Sequence, residues 1–176
     1  MTGALPLVCP DMADAGARAL VPGAGVISVC EAAVAEAIGI SAADMGNAQL
    51  VDPATGALRI VAHQGFNREF LNFFQVVHDE ESACGTAPAA GKPVWVEDVS
   101  RSPIFAGTPA LDVMLNADAR AVASVPVRAA DRHVIAMISV HYHQPTTSTG
   151  AQMHQLTAIA AVAGRLVSLE PTGRRE

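Results

Sequence analysis

Aromatic side chains are scarce in this chain of 176 residues, at 4% of the total, with a single Trp95 and a single Tyr142. Lysine is scarcer still: Lys92 is the only one, and 11 basic residues face 17 acidic ones for a formal net charge of −6. Nucleic-acid binding needs a concentrated positive face or a platform of stacking rings. Apart from the pair Arg174-Arg175 no basic residues adjoin, so nucleic acid and an anionic membrane surface are both excluded as partners. Cysteines number three (Cys9, Cys30, Cys84) at wide spacing, which matches neither a disulfide framework nor a zinc pattern. They read as free thiols in a reducing compartment, and the expected location is cytoplasmic. The first residues lack a signal peptide's continuous apolar run, being interrupted by Asp11, Asp14 and Arg18. No apolar stretch reaches the roughly 18 residues that a membrane span requires.

What is present is aliphatic. Apolar residues make up 51% and charged ones 16%, a composition that folds without a metal or disulfide. Alanine alone supplies about a fifth of the chain, so the core must be closely approached. Residues 1–25 form an extension closed by the breakers Pro22-Gly23-Ala24-Gly25, 26–170 one domain and 171–176 a tail. Val26, Val29, Cys30, Ala33 and Ala37 share a helical stripe, with Gly39 as its expected stop. The runs 47–51 and 57–63 flank Asp52-Pro53-Ala54-Thr55-Gly56, a hairpin signature. Asn67 is placed to cap a helix through Val77 that buries Phe70, Phe73, Phe74 and Val77. A short strand at 93–96 precedes Asp98, a turn cap, and then a long loop with one helical stretch at 111–117. The runs 121–127 and 134–142 form a second hairpin. The closing helix, 150–169, opens on Thr149 and Gln152 at capping-box spacing. Hairpins imply a mostly antiparallel sheet of five or six strands, covered by helices, in the α+β class.

Gly85-Thr86-Ala87-Pro88-Ala89-Ala90-Gly91-Lys92-Pro93-Val94-Trp95-Val96-Glu97-Asp98-Val99 resembles the middle of a GAF domain, with Ser102-Pro103-Ile104-Phe105 as the loop that follows. Ala123-Ser124-Val125-Pro126-Val127 and Val134-Ile135-Ala136-Met137-Ile138-Ser139-Val140 are similar to that family's last two strands. The resemblance spans residues 28 to 169. It implies a sensory or regulatory module of bacterial signalling proteins. The terminal helices would lie on one face of the sheet, often forming a dimer bundle. A ligand pocket would lie on the other face, under elements from residues 67 to 120. The pocket residues so implied are Phe74, Cys84, Trp95, Phe105, Leu115, Ser124, Met137, Ser139 and His141. The expected partners are a small molecule of unknown identity, a second copy of the chain, and a signalling output domain or partner protein. The residues assign no cofactor.

Departures from the family's specialised members narrow this. Asn67-Arg68-Glu69-Phe70 begins like the cyclic-nucleotide signature, but its Lys is missing and Asp79-Glu80 stands at the wrong distance. The stretch 112–120 lacks the Cys-His pair that attaches a bilin. Cys84-Gly85-Thr86-Ala87 is similar to a segment of free methionine-R-sulfoxide reductase. The family's two further cysteine positions, near 94–96 and near Asp118, hold none, and a lone thiol cannot recycle its own sulfenic acid. A Cys84-dependent redox enzyme and a purely structural dimerisation module are thus the alternatives to a non-catalytic sensor. Cys84 itself reads first as a small buried hydrophobe. His141 and His143 have the spacing of two metal ligands but no carboxylate or thiol nearby completes a shell. His141 and His78 are the positions a haem would use, and the preferred reading is a hydrogen-bonded core histidine for His141 and a surface one for His78. Glu97 and Asp98 are adjacent and so diverge, which removes them as an acid–base pair. The phenylalanines gathered in the pocket segments imply an apolar pocket with few polar anchors.

Overall fold

The structure is a computed structural model that describes residues 25–77 and 91–169. Helix α1 (Val26–Ser41) leads into strands β1 (Met45–Val51) and β2 (Leu58–Gln64). Helix α2 (Arg68–Phe74) and the two-residue strand β3 (Val76–Val77) follow. After β4 (Val94–Val96) come a 3-10 turn (Val99–Arg101), α3 (Pro109–Asn116), β5 (Ala121–Arg128), β6 (Val134–Tyr142) and α4 (Gly150–Leu169). The six strands form one sheet in the order β3-β2-β1-β6-β5-β4, and every neighbouring pair is antiparallel. The α+β class and the strand count expected from the sequence are both present.

Local chemistry explains the boundaries. The Asp52 carboxylate accepts from Ala54 N–H at 2.9 Å, and Gly56 at φ 74° turns the chain into β2, a conformation that costs glycine little. Asn67 caps α2 by accepting from Phe70 N–H at 2.8 Å. Thr149 and Gln152 form the reciprocal cap of α4, with Gln152 N–H reaching the Thr149 hydroxyl and Gln152 Oε1 accepting from Thr149 N–H. Three boundaries differ from expectation. Helix α1 runs past Gly39 to Ser41 and ends on Ala42 at φ 51°, so Gly39 is an interior residue. Helix α2 stops at Phe74, because Val76 and Val77 pair with Arg59 and Leu58 as an edge strand. Phe73 is consequently 44% exposed instead of buried. The third helix begins at Pro109, where a missing N–H is costless.

Alternation along the strands sends side chains to two different cores. Beneath α1 and α4 lie Ala48, Ala62, Ala121, Ala123, Val125, Ile138 and Val140, packed on Val29, Ala33, Ala37, Leu156, Ile159 and Ala163. Small side chains let these helices sit close. A Cβ on Gly164 would stand 2.2 Å from the Arg128 carbonyl oxygen, so only glycine fits there. The Arg128 guanidinium donates to the carbonyls of Gly91 and Arg132. Gln152 at the start of α4 donates to Ser41 O at the end of α1. The two helices therefore run antiparallel, and exposed Ile27 and Leu169 lie towards the same end. The other core holds Met45, Phe70, Phe74, Phe105, Val113, Met114 and Met137 under α2, the 3-10 turn and α3. No described helix is long and apolar enough to cross a membrane.

Candidate functional site

Strands β1, β6 and β5 turn Asn47, Ser139 and Ser124 to this second core in one cross-strand row: Asn47 pairs with Ser139, and Ser139 with Ser124. One step along β1, Gln49 stands opposite Met137; one step the other way, His141 stands between Met45 and Val122. Directly opposite residues in an antiparallel pair sit about 5 Å apart and same-face neighbours about 7 Å apart. Five polar side chains thus share a patch of molecular size, and each is at most 2% exposed. None carries a charge, and no Asp, Glu, Lys or Arg is buried among the described residues.

Hydrogen bonding within the patch is incomplete. The Ser124 and Ser139 hydroxyls bond each other at 2.8 Å. Gln49 donates to Phe74 O at 3.5 Å, a long contact. Asn47 Oδ1, Gln49 Oε1 and both His141 ring nitrogens have no partner among the described residues. The preferred sequence reading of His141, a core histidine satisfied by hydrogen bonds, is corrected: it is buried but unsatisfied. Its ring is walled edge-on by Phe66 and Phe70, with centroids at 4.9 and 5.4 Å. Burial in this aromatic corner pushes its pKa down to about 3, so the ring is neutral at pH 7 and acts as donor and acceptor rather than as a cation.

Most pocket positions expected from the sequence come together here. Phe74 is buried at the end of α2 against Phe70, at 4.6 Å between centroids. Phe105 is buried after the 3-10 turn, Leu115 is half-buried on α3, and Met137 is buried beside Ser124 and Ser139. Trp95 is not with them. It points through the edge strand to the helix-covered face, 5.6 Å from the Tyr142 ring, and its indole donates to Thr146 O at 2.7 Å. The reason is parity: Val94 and Val96 take the α2/α3 side of the sheet, and the residue between them cannot. Cys84 and His78 lie outside the described residues. His143 does not share a face with His141, because β6 ends at Tyr142; its ring bonds Asp118 O at 2.9 Å. No cluster suited to a metal ion occurs among the described residues.

Asn47 and Gln49 escaped the sequence reading. Polar residues alternating with small ones along a strand ordinarily mark a solvent-facing side, and nothing local says that a helical layer covers it. The expectation of few polar anchors underestimated them. Elsewhere, an open groove of about 520 Å³ runs beside β4, lined by Val96, Glu97, Asp98, Arg101, Pro103 and Ile104 among others. Hydrogen bonds from the Ser100 hydroxyl and N–H hold the Asp98 carboxyl below its ordinary pKa, so it serves as a turn cap and not as an acid.

Comparison with known proteins agrees with this architecture. The chain superposes on the GAF domain of an Acinetobacter phosphoenolpyruvate-protein phosphotransferase with a TM-score of 0.72 at 17% identity, covering 89% of this chain and 90% of that one. Free methionine-R-sulfoxide reductase from Neisseria meningitidis, solved with its substrate, gives 0.72 at 16% identity over 94% and 96%. The blue-light-absorbing form of the Thermosynechococcus elongatus PixJ GAF domain gives 0.63 at 16% over 81% and 84%. At such identities the likeness shows the fold alone. No curated protein matches at a significant level. The family model described as "GAF domain" matches residues 24–168, which is most of the chain, and with the antiparallel six-stranded sheet and its two unequal faces this makes the chain a member of the GAF domain family.

Proposed function

We propose that the domain is a non-catalytic sensory module that binds a small molecule on the α2/α3 side of its sheet and reports occupancy through α1 and α4. The observation that carries this reading is the set of buried, uncharged and partly unpaired polar groups on that face: among the described residues, four unpaired atoms on three side chains against the single Tyr142 hydroxyl on the helix-covered face. Buried polar groups in native proteins are overwhelmingly paired, so several unpaired ones together on one face suit a guest. The antiparallel helix pair, with Ile27 and Leu169 exposed towards one end, supports an arrangement in which a cytoplasmic homodimer forms through these helices and drives a signalling output such as a two-component system. Native mass spectrometry of freshly purified protein tests both parts. A dimer with a retained or exchangeable ligand is the expected result. A strict monomer unaltered in mass or melting temperature across a metabolite panel would overturn it.

The enzymatic alternative, supported by the fold shared with sulfoxide reductases, rests on Cys84. Cys30, the one cysteine among the described residues, is buried, and burial with a lesser effect of Glu31 pushes its thiol up to about 11. It supplies no thiolate at neutral pH. Sulfoxide-dependent NADPH consumption through thioredoxin that vanishes in Cys84→Ser would establish the enzyme in place of the sensor.

A further inference from the structure

The chemistry of the unpaired groups narrows the ligand, on the assumption that the face binds a small molecule as proposed above. Among the described residues Asn47 and Gln49 each present a carboxamide oxygen without a donor, and His141 presents two ring nitrogens without partners. All three are at most 2% exposed, so bulk water does not serve them. The register places Asn47 between the other two, with Gln49 two residues along β1 and His141 diagonally across on β6. The patch is therefore about two same-face spacings long, close to 14 Å, and three strands wide. Met45, Met137 and the rings of Phe66 and Phe70 border it with apolar surface. Among the described residues no buried charge stands ready to compensate a carboxylate, a phosphate or an ammonium group, and burying such an ion without a counter-charge is prohibitive.

We propose that this face selects an uncharged, flat compound bearing amide or lactam groups, the chemical class of nicotinamide and uracil. Its N–H groups donate to Asn47 Oδ1 and Gln49 Oε1, its ring lies against the methionine and phenylalanine side chains, and neutral His141 supplies a donor or an acceptor at one end. The same site rejects carboxylate-bearing counterparts: nicotinate, which differs from nicotinamide by little more than its charge, and orotate, which adds a carboxylate to uracil.

Calorimetry and thermal shift with paired probes test the selection: nicotinamide against nicotinate, and uracil against orotate. The expected result is binding of at least one neutral member, weaker by about 100-fold for its anion. Gln49→Met and Asn47→Leu, which remove an unpaired carboxamide oxygen, are expected to weaken the neutral probe at least about tenfold. The same variants should raise the melting temperature of the ligand-free protein by about 3 °C. If the larger Asn47→Leu change fails to fold, Gln49→Met, which conserves volume, reads both effects. Anions that bind as well as the neutral probes overturn the selection while leaving a small-molecule sensor standing. A lower melting temperature in Gln49→Met, with neutral-probe affinity unchanged, makes the amide structural and overturns it too. Silence from all four probes, in a protein that also shows no retained ligand by mass, removes the selection together with the sensory reading.

Discussion

The two faces of the sheet are built from different residues and tolerate opposite kinds of change. Under α1 and α4, nine of the twenty buried core residues are alanines, and of the four buried Leu and Ile side chains three come from α4 and one, Ile138, from β6. Across the sheet, three phenylalanines and three methionines stand among fifteen buried apolar residues, with only three alanines, and five neutral polar side chains share their surface. Alanine minimises the distance between helix and sheet, so that face has no room to give. Phenylalanine and methionine fill a deeper layer whose contents can be exchanged for something of similar size. A sheet that separates a rigid seam from a repackable one can change on one side and hold its partner helices on the other.

Truncation on the deep face should have the largest effect. Phe70 is buried and contacts Phe66, Phe74 and His141, so Phe70→Ala is expected to cost about 4 kcal/mol in urea unfolding. A small aromatic solute added to that variant should recover part of the loss. Absence of any recovery would mean that the deep face collapses as tightly as the other. On the helix face the damaging change is enlargement. Gly164→Val meets the Arg128 main chain and is expected to cost about 3 kcal/mol, with no recovery by solutes. A neutral effect there would break the contrast.

Acid should attack the deep face selectively. Unfolded, the His141 ring takes a proton near its ordinary value of 6.5, whereas in the folded protein burial holds it neutral down to about 3. Between those values the unfolded chain binds the extra proton, so stability falls as pH drops through this window and the loss is complete near pH 3. From pH 7 to pH 5 the loss from this group is about 2 kcal/mol. Urea unfolding at the two pH values should show it, and His141→Leu should reduce that difference. An unchanged pH dependence in the variant would show that the ring is reached by water. The smallest expected effect concerns Ser124 and Ser139. Each single Ser→Ala change strands a buried hydroxyl, and the double change strands none, so a double-mutant cycle should return a coupling of about 1 kcal/mol.

Much of this contrast was legible in the sequence. The clustering of phenylalanine in the segments around α2 and the loop before α3 already marked the deep face, and the signature at 52–56 with the paired runs 121–127 and 134–142 set the antiparallel pairing. Caps at Asn67, Asp98 and Thr149 were readable because a side-chain acceptor and its backbone donor lie within three residues. What stayed hidden depends on contacts distant in sequence. Val76 and Val77 continue the helical spacing of α2, and only their pairing with β2 makes them a strand. Trp95 was assigned by segment, but its side is decided by strand parity. Asn47 and Gln49 resemble solvent-facing positions until the chain folds over that face, where Gln49 reaches Phe74 O at the end of α2.

Arg128 joins these regions mechanically. Its main-chain oxygen is the floor on which α4 rests at Gly164, while its guanidinium reaches the carbonyls of Gly91 and Arg132. Ser124 lies four residues earlier on the same strand. Strand β5 thus carries the polar row near its middle and the helix seat at its end, with a register irregularity between Val127 and Arg128 just before the seat. A displacement of the Arg128 main chain meets α4 directly, without a relay through flexible side chains. The steric lock that makes Gly164 intolerant of enlargement is also what denies the joint the slack in which a small displacement would be lost.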